Sequence, residues 1–522
     1  MKISTLLLTG ASCANAFVLP EKGFNLLDLA GDSRRSEVKQ YTDSSRPNLR
    51  GDSSSSKPLI SSHKLQSMIN VEELNETAQL LYKLAEESVP LYGHPTRVVG
   101  SPGHWATLDY IQKEFDELDE YYDVSVQYFS SLISQINSYN LTYTNGDEVP
   151  SAVPFSFSPP VKTFRGKLLQ IPNYGCEEKD YADLDVSAEQ IALIERGACS
   201  FLTKSDLAGR FGFKAVIMYD NNPAVREGLK GSLGRPTEDT LPVIGVSHEV
   251  GCLLIQAIEK YGDYPVFFGM NSIIRDIVTK NVIADTKSGD PDNIVALGAH
   301  SDSVADGPGI NDDGSGTISL LTIAKHLSKF RLNNKVRFAW WSAEEYGLLG
   351  SNFYTDNLTP EENLKIRLFM DYDMLASPNF EYEVYDGNNE ENPEGSEELK
   401  QFFIDYYNKH NLKYSLIPFD GRSDYVGFIQ NGIPAGGVAT GAEAINPANG
   451  EAFDKCYHQL CDDTSNLNFE AWLVNTKLIA HAVATYAHSL KGFPERSSNS
   501  SLHVASARHV AKFPYRGNHL IM

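Results

Sequence analysis

The chain has 522 residues, of which 41% are apolar and 22% charged, with a formal net charge of -23 at pH 7 and a pI near 5.0. That length exceeds what one hydrophobic core organises, so more than one domain is expected, and the composition excludes disorder over most of the chain. The acidic balance and the lack of a Lys/Arg run exclude a nucleic-acid surface of the usual electrostatic kind and leave peptides or small solutes as partners.

At the start, Lys2 precedes a short apolar stretch that finishes in Ala14-Asn15-Ala16, the form of a secretory signal (1–16). The stretch is too short to span a bilayer, and no later segment approaches about 18 uninterrupted apolar residues. A secreted protein with no membrane anchor is therefore expected; a vacuolar or lysosomal lumen is the alternative destination. Residues 17–58 are rich in Ser, Asp and Arg without an apolar period, which reads as a disordered linker or a pro-segment.

Helical periodicity begins near residue 59. After Ser101-Pro102, a cap and first-turn pair, Trp105, Leu108, Ile111, Phe115 and Leu118 recur at helical spacing, and 59–149 is taken as the first part of the larger domain. From 150 to 269 the texture changes to short β-rich runs (GKLLQIP, IALIERG, KAVIMYDN, LPVIGVS) separated by Gly, Pro and Asn, which predicts a smaller β-rich module. From 270 to 492, apolar strands (IVALGAH, VRFAWWS, RLFMDYD, IPAGGVA) alternate with helical stretches, predicting an α/β domain with a mostly parallel central sheet and helices on both faces. A helix containing Phe469, Trp472, Ile479 and Val483 closes it, and the Ser-rich and basic tail 493–522 is assigned no fold.

Once Cys13 leaves with the signal, five cysteines remain in a compartment where disulfides persist. The closest pair, Cys456 and Cys461, is the first expected bridge. Cys176 with Cys199 is the second, leaving Cys252 unpaired or competing for that second bridge. Sequons at Asn75, Asn140, Asn357 and Asn499 imply surface positions if glycosylated.

The candidate chemistry gathers at strand ends, where open α/β sheets bind ligands. The run IVALGAH ends at His300, an imidazole donor; Asp302 could orient it from behind, and Asp312, beyond a Gly-rich loop, offers two oxygens able to bridge two metals. VRFAWWS leads into Glu344-Glu345, where one carboxylate can bind metal while its neighbour stays free as a general base. The third strand delivers Asp371 and Asp373, and His458 lies between Cys456 and Cys461. Singly each has an ordinary explanation, as a helix cap, a solvated pair or, like His326, a lone histidine. Two histidines with three carboxylates, four of the five at successive strand ends, together match a dizinc site with N and O donors.

The stretches GAHSDSVADGPGINDDGSG, WWSAEEYGLLGS, MDYDMLASPN, GRSDYVGF and CYHQLCDD resemble, in order and spacing, the M28 metallo-aminopeptidase family. The insert, with ERGACSFLTKSDLAGRFGFKAVIMYDN, resembles a protease-associated (PA) domain, and the combined resemblance covers about 59–490. It implies the zinc exopeptidase fold and two zinc ions per chain: one held by His300, Asp312 and Asp373, the other by Asp312, Glu345 and His458, with Asp312 as the bridge. It further implies Glu344 as general base, Tyr457 as hydrogen-bond donor to the developing oxyanion, and Arg422 as a residue that helps hold the substrate near its amino end. The implied substrates are peptides with a free N-terminus, and the Cys456–Cys461 bridge would pin the loop that aims Tyr457 and His458. The PA insert offers no comparable cluster, so a lid or a docking surface for a substrate or protein partner is expected there.

Two rivals stand beside this reading. A metal-free receptor on the same scaffold would have lost ligands, yet all five and the base are present. A carboxypeptidase would need basic groups for a substrate carboxylate, and Arg422 alone does not make that pocket; a glutaminyl cyclase works with one zinc and lacks the PA insert.

Overall fold

The computed structural model describes residues 57–187, 189–223, 226–496, 515–516 and 519–520. The signal expected at 1–16, the linker or pro-segment up to residue 56, most of the tail and its sequon Asn499 lie outside the described residues.

The described strands are β1 (Tyr122–Tyr143), β2 (Val153–Pro154), β3 (Val161–Gln170), β4 (Gln190–Glu195), β5 (Ala215–Tyr219), β6 (Val243–Val246), β7 (Pro265–Thr286), β8 (Asp290–His300), β9 (Asn334–Trp341), β10 (Ile366–Tyr372), β11 (Tyr382–Tyr385), β12 (Tyr414–Ile417) and β13 (Ala435–Ala439). They join in one sheet of order β12-β11-β13-β10-β8-β9-β7-β3-β4-β5-β6-β2, with β1 paired to β7. A separate two-residue ladder links Tyr515–Arg516 with His519–Leu520 in the tail.

At the centre, β8 runs parallel to β9 and β10, and β13 parallel to β10; antiparallel pairs occur at β7–β9 and β11–β13. The alternation along β8 explains its two-sided burial. Val295, Leu297 and Ala299 enter one core, while Ile294 and Ala296 enter the other. Trp340 and Trp341, adjacent on β9, likewise go to opposite faces and are both buried; truncating a buried Trp typically costs about 3–5 kcal/mol, so this pair holds the strand at a fixed height between its helix layers. The helix Pro102–Asp116 starts as its sequence predicts: the Ser101 side chain accepts the His104 amide, and Leu108, Ile111 and Phe115 are buried. The helix Phe469–His488 begins at Asn468, which caps the Ala471 amide, and packs into the same core.

The expected modules are not separate sheets. β1 and β7 form an antiparallel ribbon, 22 residues in each strand, running from Tyr122 opposite Thr286 to Tyr143 opposite Val266. β7 pairs with β3 at its start and with β9 at its end, so one strand carries the hydrogen-bonded sheet from the insert into the larger domain. Leu141 and Val149 pack with Val266 and Phe268 in the core of the insert, so the change of core falls inside the ribbon rather than at residue 150.

Cys176–Cys199 and Cys456–Cys461 are bonded and Cys252 is free, which resolves the alternative left open by spacing. Asn357 is exposed, while Asn75 and Asn140 are half-buried. No described helix is long and apolar enough to cross a membrane.

Candidate metal centre and active site

Because β8, β9 and β10 are parallel neighbours, their C-terminal ends lie side by side, with His300 opposite Trp341 and Asp371 opposite Gly298. Those ends carry His300, then Glu344 and Glu345 just past β9, and Asp373 just past β10. Asp313, which sequence reasoning passed over, ties the end of β8 to the segment after β10. Its Oδ2 accepts the His300 amide at 3.1 Å, and its Oδ1 accepts the amides of Gly316 at 2.8 Å and Met374 at 3.3 Å. It is the N-cap of the buried helix Gly314–Leu327, a role its place before Gly-Ser-Gly-Thr could have suggested. Ala343, Met374 and His458 all adopt positive φ without being glycine. Such backbone costs about 1–3 kcal/mol per residue and persists where surrounding contacts impose it, here beside or at a site residue.

Asp312 sits between the two histidines. Its Oδ1 is 3.2 Å from His300 Nε2 and its Oδ2 is 3.2 Å from His458 Nε2. Asp373 Oδ1 lies 3.7 Å from His300 Nε2, and Glu345 Oε2 3.1 Å from His458 Nε2. Glu344 lies on the other side, Oε2 4.0 Å from His300 Nε2. The adjacent glutamates therefore diverge, Glu345 toward the His458–Asp312 pair and Glu344 toward His300. Ligand atoms of Asp312, Glu345 and His458 fall within 4.8 Å of one another, as do those of His300, Glu344 and Glu345, and those of His300, Asp313 and Asp373. Among the described residues, all such groups belong to this one centre.

The centre is short of positive charge. Burial, reinforced by Glu345, Asp424 and Asp373 against the pull of His300, pushes Glu344 well above the usual carboxylate range. Burial raises Asp302 to about 6 and Asp424 to about 7. The two histidines respond in the opposite sense: burial would lower them, but Glu344 and Asp312 drive His300 well above its ordinary value, and Glu345 and Asp312 drive His458 to about 11. Asp312 is held below the normal range by both imidazoles despite its burial. Glu345 Oε1 and Asp373 Oδ1 are buried without a hydrogen-bond partner. Carboxylates crowded around two imidazoles, with oxygens left unsatisfied, are a donor set that cations would complete, and N and O donors without thiolate suit zinc.

Several of the residues singled out in the sequence make contacts that their spacing does not specify. His300 Nδ1 lies 3.2 Å from the Asp302 carbonyl and 3.9 Å from its carboxylate, which instead accepts the Glu344 amide at 3.2 Å. A proton on Nδ1, donated to that carbonyl, leaves Nε2 free to face Asp312 and Asp373. Ser423 donates to Asp373 Oδ2 at 3.0 Å, while Asp371 turns away to accept the Tyr425 amide at 2.8 Å. Arg422 Nη2 donates to Glu443 and to the Tyr457 hydroxyl, both at 3.1 Å, and the Tyr457 ring stacks on His458 with centroids 3.8 Å apart.

Asp462 and Asp454 were also missed. Asp462 accepts the amides of Asn311 at 2.9 Å and Asp312 at 3.0 Å, and Asp454 accepts the Asn311 side-chain amide at 2.8 Å. Together they latch the Cys456–Cys461 loop to Asn311 and to the backbone of Asp312, so the disulfide is not the loop's sole support. The double variant Cys456→Ser/Cys461→Ser is expected to stay folded, to lose about 2 kcal/mol of stability for so short a loop, and to show a lowered kcat, because the His458 side chain that faces Asp312 and Glu345 lies inside the loop. Unfolding in denaturant alongside kcat would check this; kcat equal to wild type would show that the latch alone aims His458.

Residues 281–483 match the profile of peptidase family M28, and residues 164–254 that of the PA domain. Aminopeptidase Y of Saccharomyces cerevisiae is 59% identical over 472 residues, covering 89% of this chain and 88% of that protein. Leucine aminopeptidase 2 of Arthroderma otae is 39% identical over 464 residues, covering 86% and 90%. Among solved structures, the aminopeptidase from Aneurinibacillus sp. strain AM-1 aligns with a TM-score of 0.65 at 25% identity, over 84% of this chain and all of that one. BSAP, a zinc aminopeptidase from Bacillus subtilis, aligns with a TM-score of 0.54 at 25% identity, over 81% and 97%. Similarity sustained across the insert, the sheet and the acid-lined centre means that this chain belongs to peptidase family M28, as an aminopeptidase that carries a PA domain.

Proposed function

We propose that the protein removes the N-terminal residue of peptides at a two-zinc centre, with His300, Asp312 and Asp373 holding one ion, Asp312, Glu345 and His458 the other, and Glu344 acting as general base. The observation that carries the reading is the position of Asp312, one carboxylate oxygen 3.2 Å from each of two imidazoles. Zinc, when bound, supplies Lewis acidity toward the scissile carbonyl and eases deprotonation of the attacking water.

The chain's own groups do the rest. Glu344 takes the proton from the water as its oxygen bonds to the carbonyl carbon, then delivers that proton to the amine nitrogen as the C–N bond breaks. Tyr457 donates its phenolic hydrogen to the oxygen that gains charge. A guanidinium only donates, so the Arg422 contact occupies a lone pair of the Tyr457 oxygen and leaves its proton free for the substrate; Arg422 thus serves the substrate through Tyr457. The buried carboxylates attract a free ammonium and would disfavour an acylated end. The two disulfides fit an oxidising compartment, extracellular or vacuolar, with the sequons as glycosylation sites. The PA domain, tied to the larger domain through β7, serves as a lid or docking surface.

The test is hydrolysis of aminoacyl amides with free and with acetylated amino ends, before and after chelation and with zinc restored. Turnover of free amines only, lost on chelation and regained with zinc, is the expected result. Turnover by a fully chelated protein would overturn the reading.

A further inference from the structure

The loop from Ser301 to Asn311 has a proposed zinc ligand at each end, His300 before it and Asp312 after it. A side chain about two hundred residues away in sequence, Arg97, reaches into it. The guanidinium is fully buried, and its Nε donates to the Pro308 carbonyl at 2.8 Å, its Nη1 to the Ser301 carbonyl and its Nη2 to the Gly309 carbonyl. One planar group therefore grips the residue directly after His300 and two residues shortly before Asp312. The backbone runs alongside as well: the Arg97 amide donates to Ser303 Oγ at 3.0 Å, the Thr96 hydroxyl donates to the Val304 carbonyl at 2.9 Å, and Val98 bridges to Ser303.

The loop is shaped to meet this grip. Gly309 has φ +61°, and a Cβ there would lie 3.1 Å from Arg97 Nη2 and 2.2 Å from the Asp312 carbonyl, so glycine is what allows the close approach. The hydrogen-bond partners of the guanidinium are backbone carbonyls, which fix position without neutralising charge. Its charge instead acts at longer range on Asp302, Asp313, Asp462 and Asp312, as a permanent cation inside an acidic centre.

We infer that Arg97 is a positioning residue that sets the spacing between His300 and Asp312, and thereby the affinity with which the centre takes up zinc, without touching metal or substrate. The inference rests on the two-zinc reading above. Lysine cannot replace it, because one ammonium presents its donors from a single point, whereas the carbonyls are arranged around a flat fork.

The experiment uses the full-length wild type, Arg97→Lys and Arg97→Gln, each stripped by chelation. Zinc is titrated against a chromophoric chelator, thermal unfolding is followed with chelator present, and kcat and KM are measured at fixed and at excess zinc. The expected result is zinc affinity about 10–100-fold weaker in the variants, with kcat lowered at fixed zinc, partly recovered at excess zinc, and KM little changed. Variants that fold and bind zinc as tightly as wild type would overturn the inference. So would variants that no longer fold under chelation where wild type does, since Arg97 would then be a residue of the fold. A wild-type protein that takes up no zinc would overturn the two-zinc reading itself, and this inference with it.

Discussion

Glu344→Gln is expected to lower kcat by about 10²–10⁴-fold, the usual worth of a positioned general base, while zinc content and KM stay close to wild type. The separation of effects follows from geometry. Glu344 and Glu345 are adjacent in sequence, yet Glu345 faces the His458–Asp312 pair at 3.1 Å while Glu344 stands 4.0 Å from His300. The amide of Glu344 is held by the Asp302 carboxylate, so the side chain has a fixed starting point even when its charge is removed. Glutamine keeps the shape and loses the proton acceptor. The buried position of Glu344, among other acids, also means that its carboxylate depends on nearby cations to stay ionised. Metal analysis with steady-state kinetics would check both halves. Loss of zinc in parallel with kcat would make Glu344 a ligand and return the base to another group.

How much of this could be read from sequence depended on where each signal resides. The ends of β8, β9 and β10 were legible because each is a buried apolar run that stops at a polar residue, and a parallel sheet brings such stops together. The β1–β7 ribbon was not. Much of its surface faces solvent, so Ser125, Gln127, Ser130, Ser131, Ser134 and Gln135 dilute the alternation that marks a strand with one face in a core. The fate of Cys252 could not be settled by spacing, because bridges depend on which elements meet in space.

Residues that hold the site in place were the least legible. Asp313, Asp462 and Arg97 act on backbone amides or carbonyls rather than on recognisable side-chain partners, and the last two do so across roughly 150 to 200 positions. No periodicity encodes such a contact. Asp302 is instructive in a different way: its place two residues from His300 suggested a residue able to orient the imidazole from behind, and the turn sets its carbonyl 3.2 Å from Nδ1 while its carboxylate accepts the Glu344 amide. Sequence proximity names the residue but not the atom, because the direction of a side chain in a loop is set by what packs around it.

Asp312 offers the sharpest separation of a two-ion centre from a one-ion centre. Each of its oxygens faces a different histidine at 3.2 Å, and each histidine has its own further carboxylate, Asp373 for His300 and Glu345 for His458. If this arrangement holds two zinc ions, His300→Ala and His458→Ala should each retain about one ion per chain, because the opposite half keeps its own donors. Asp312→Ala should weaken both sites together and reduce activity to background, although it removes only one residue. Folding is not expected to carry that loss, since the backbone at Asp312 remains fixed by Asp462 and by the Asp313 cap that starts the following helix. Zinc per chain after gel filtration, with thermal unfolding in chelator as the control for fold, decides the matter. An Asp312→Ala protein that still holds one ion tightly would place both histidines in separate, unbridged sites, and the attacking water would then need a single metal rather than a shared one.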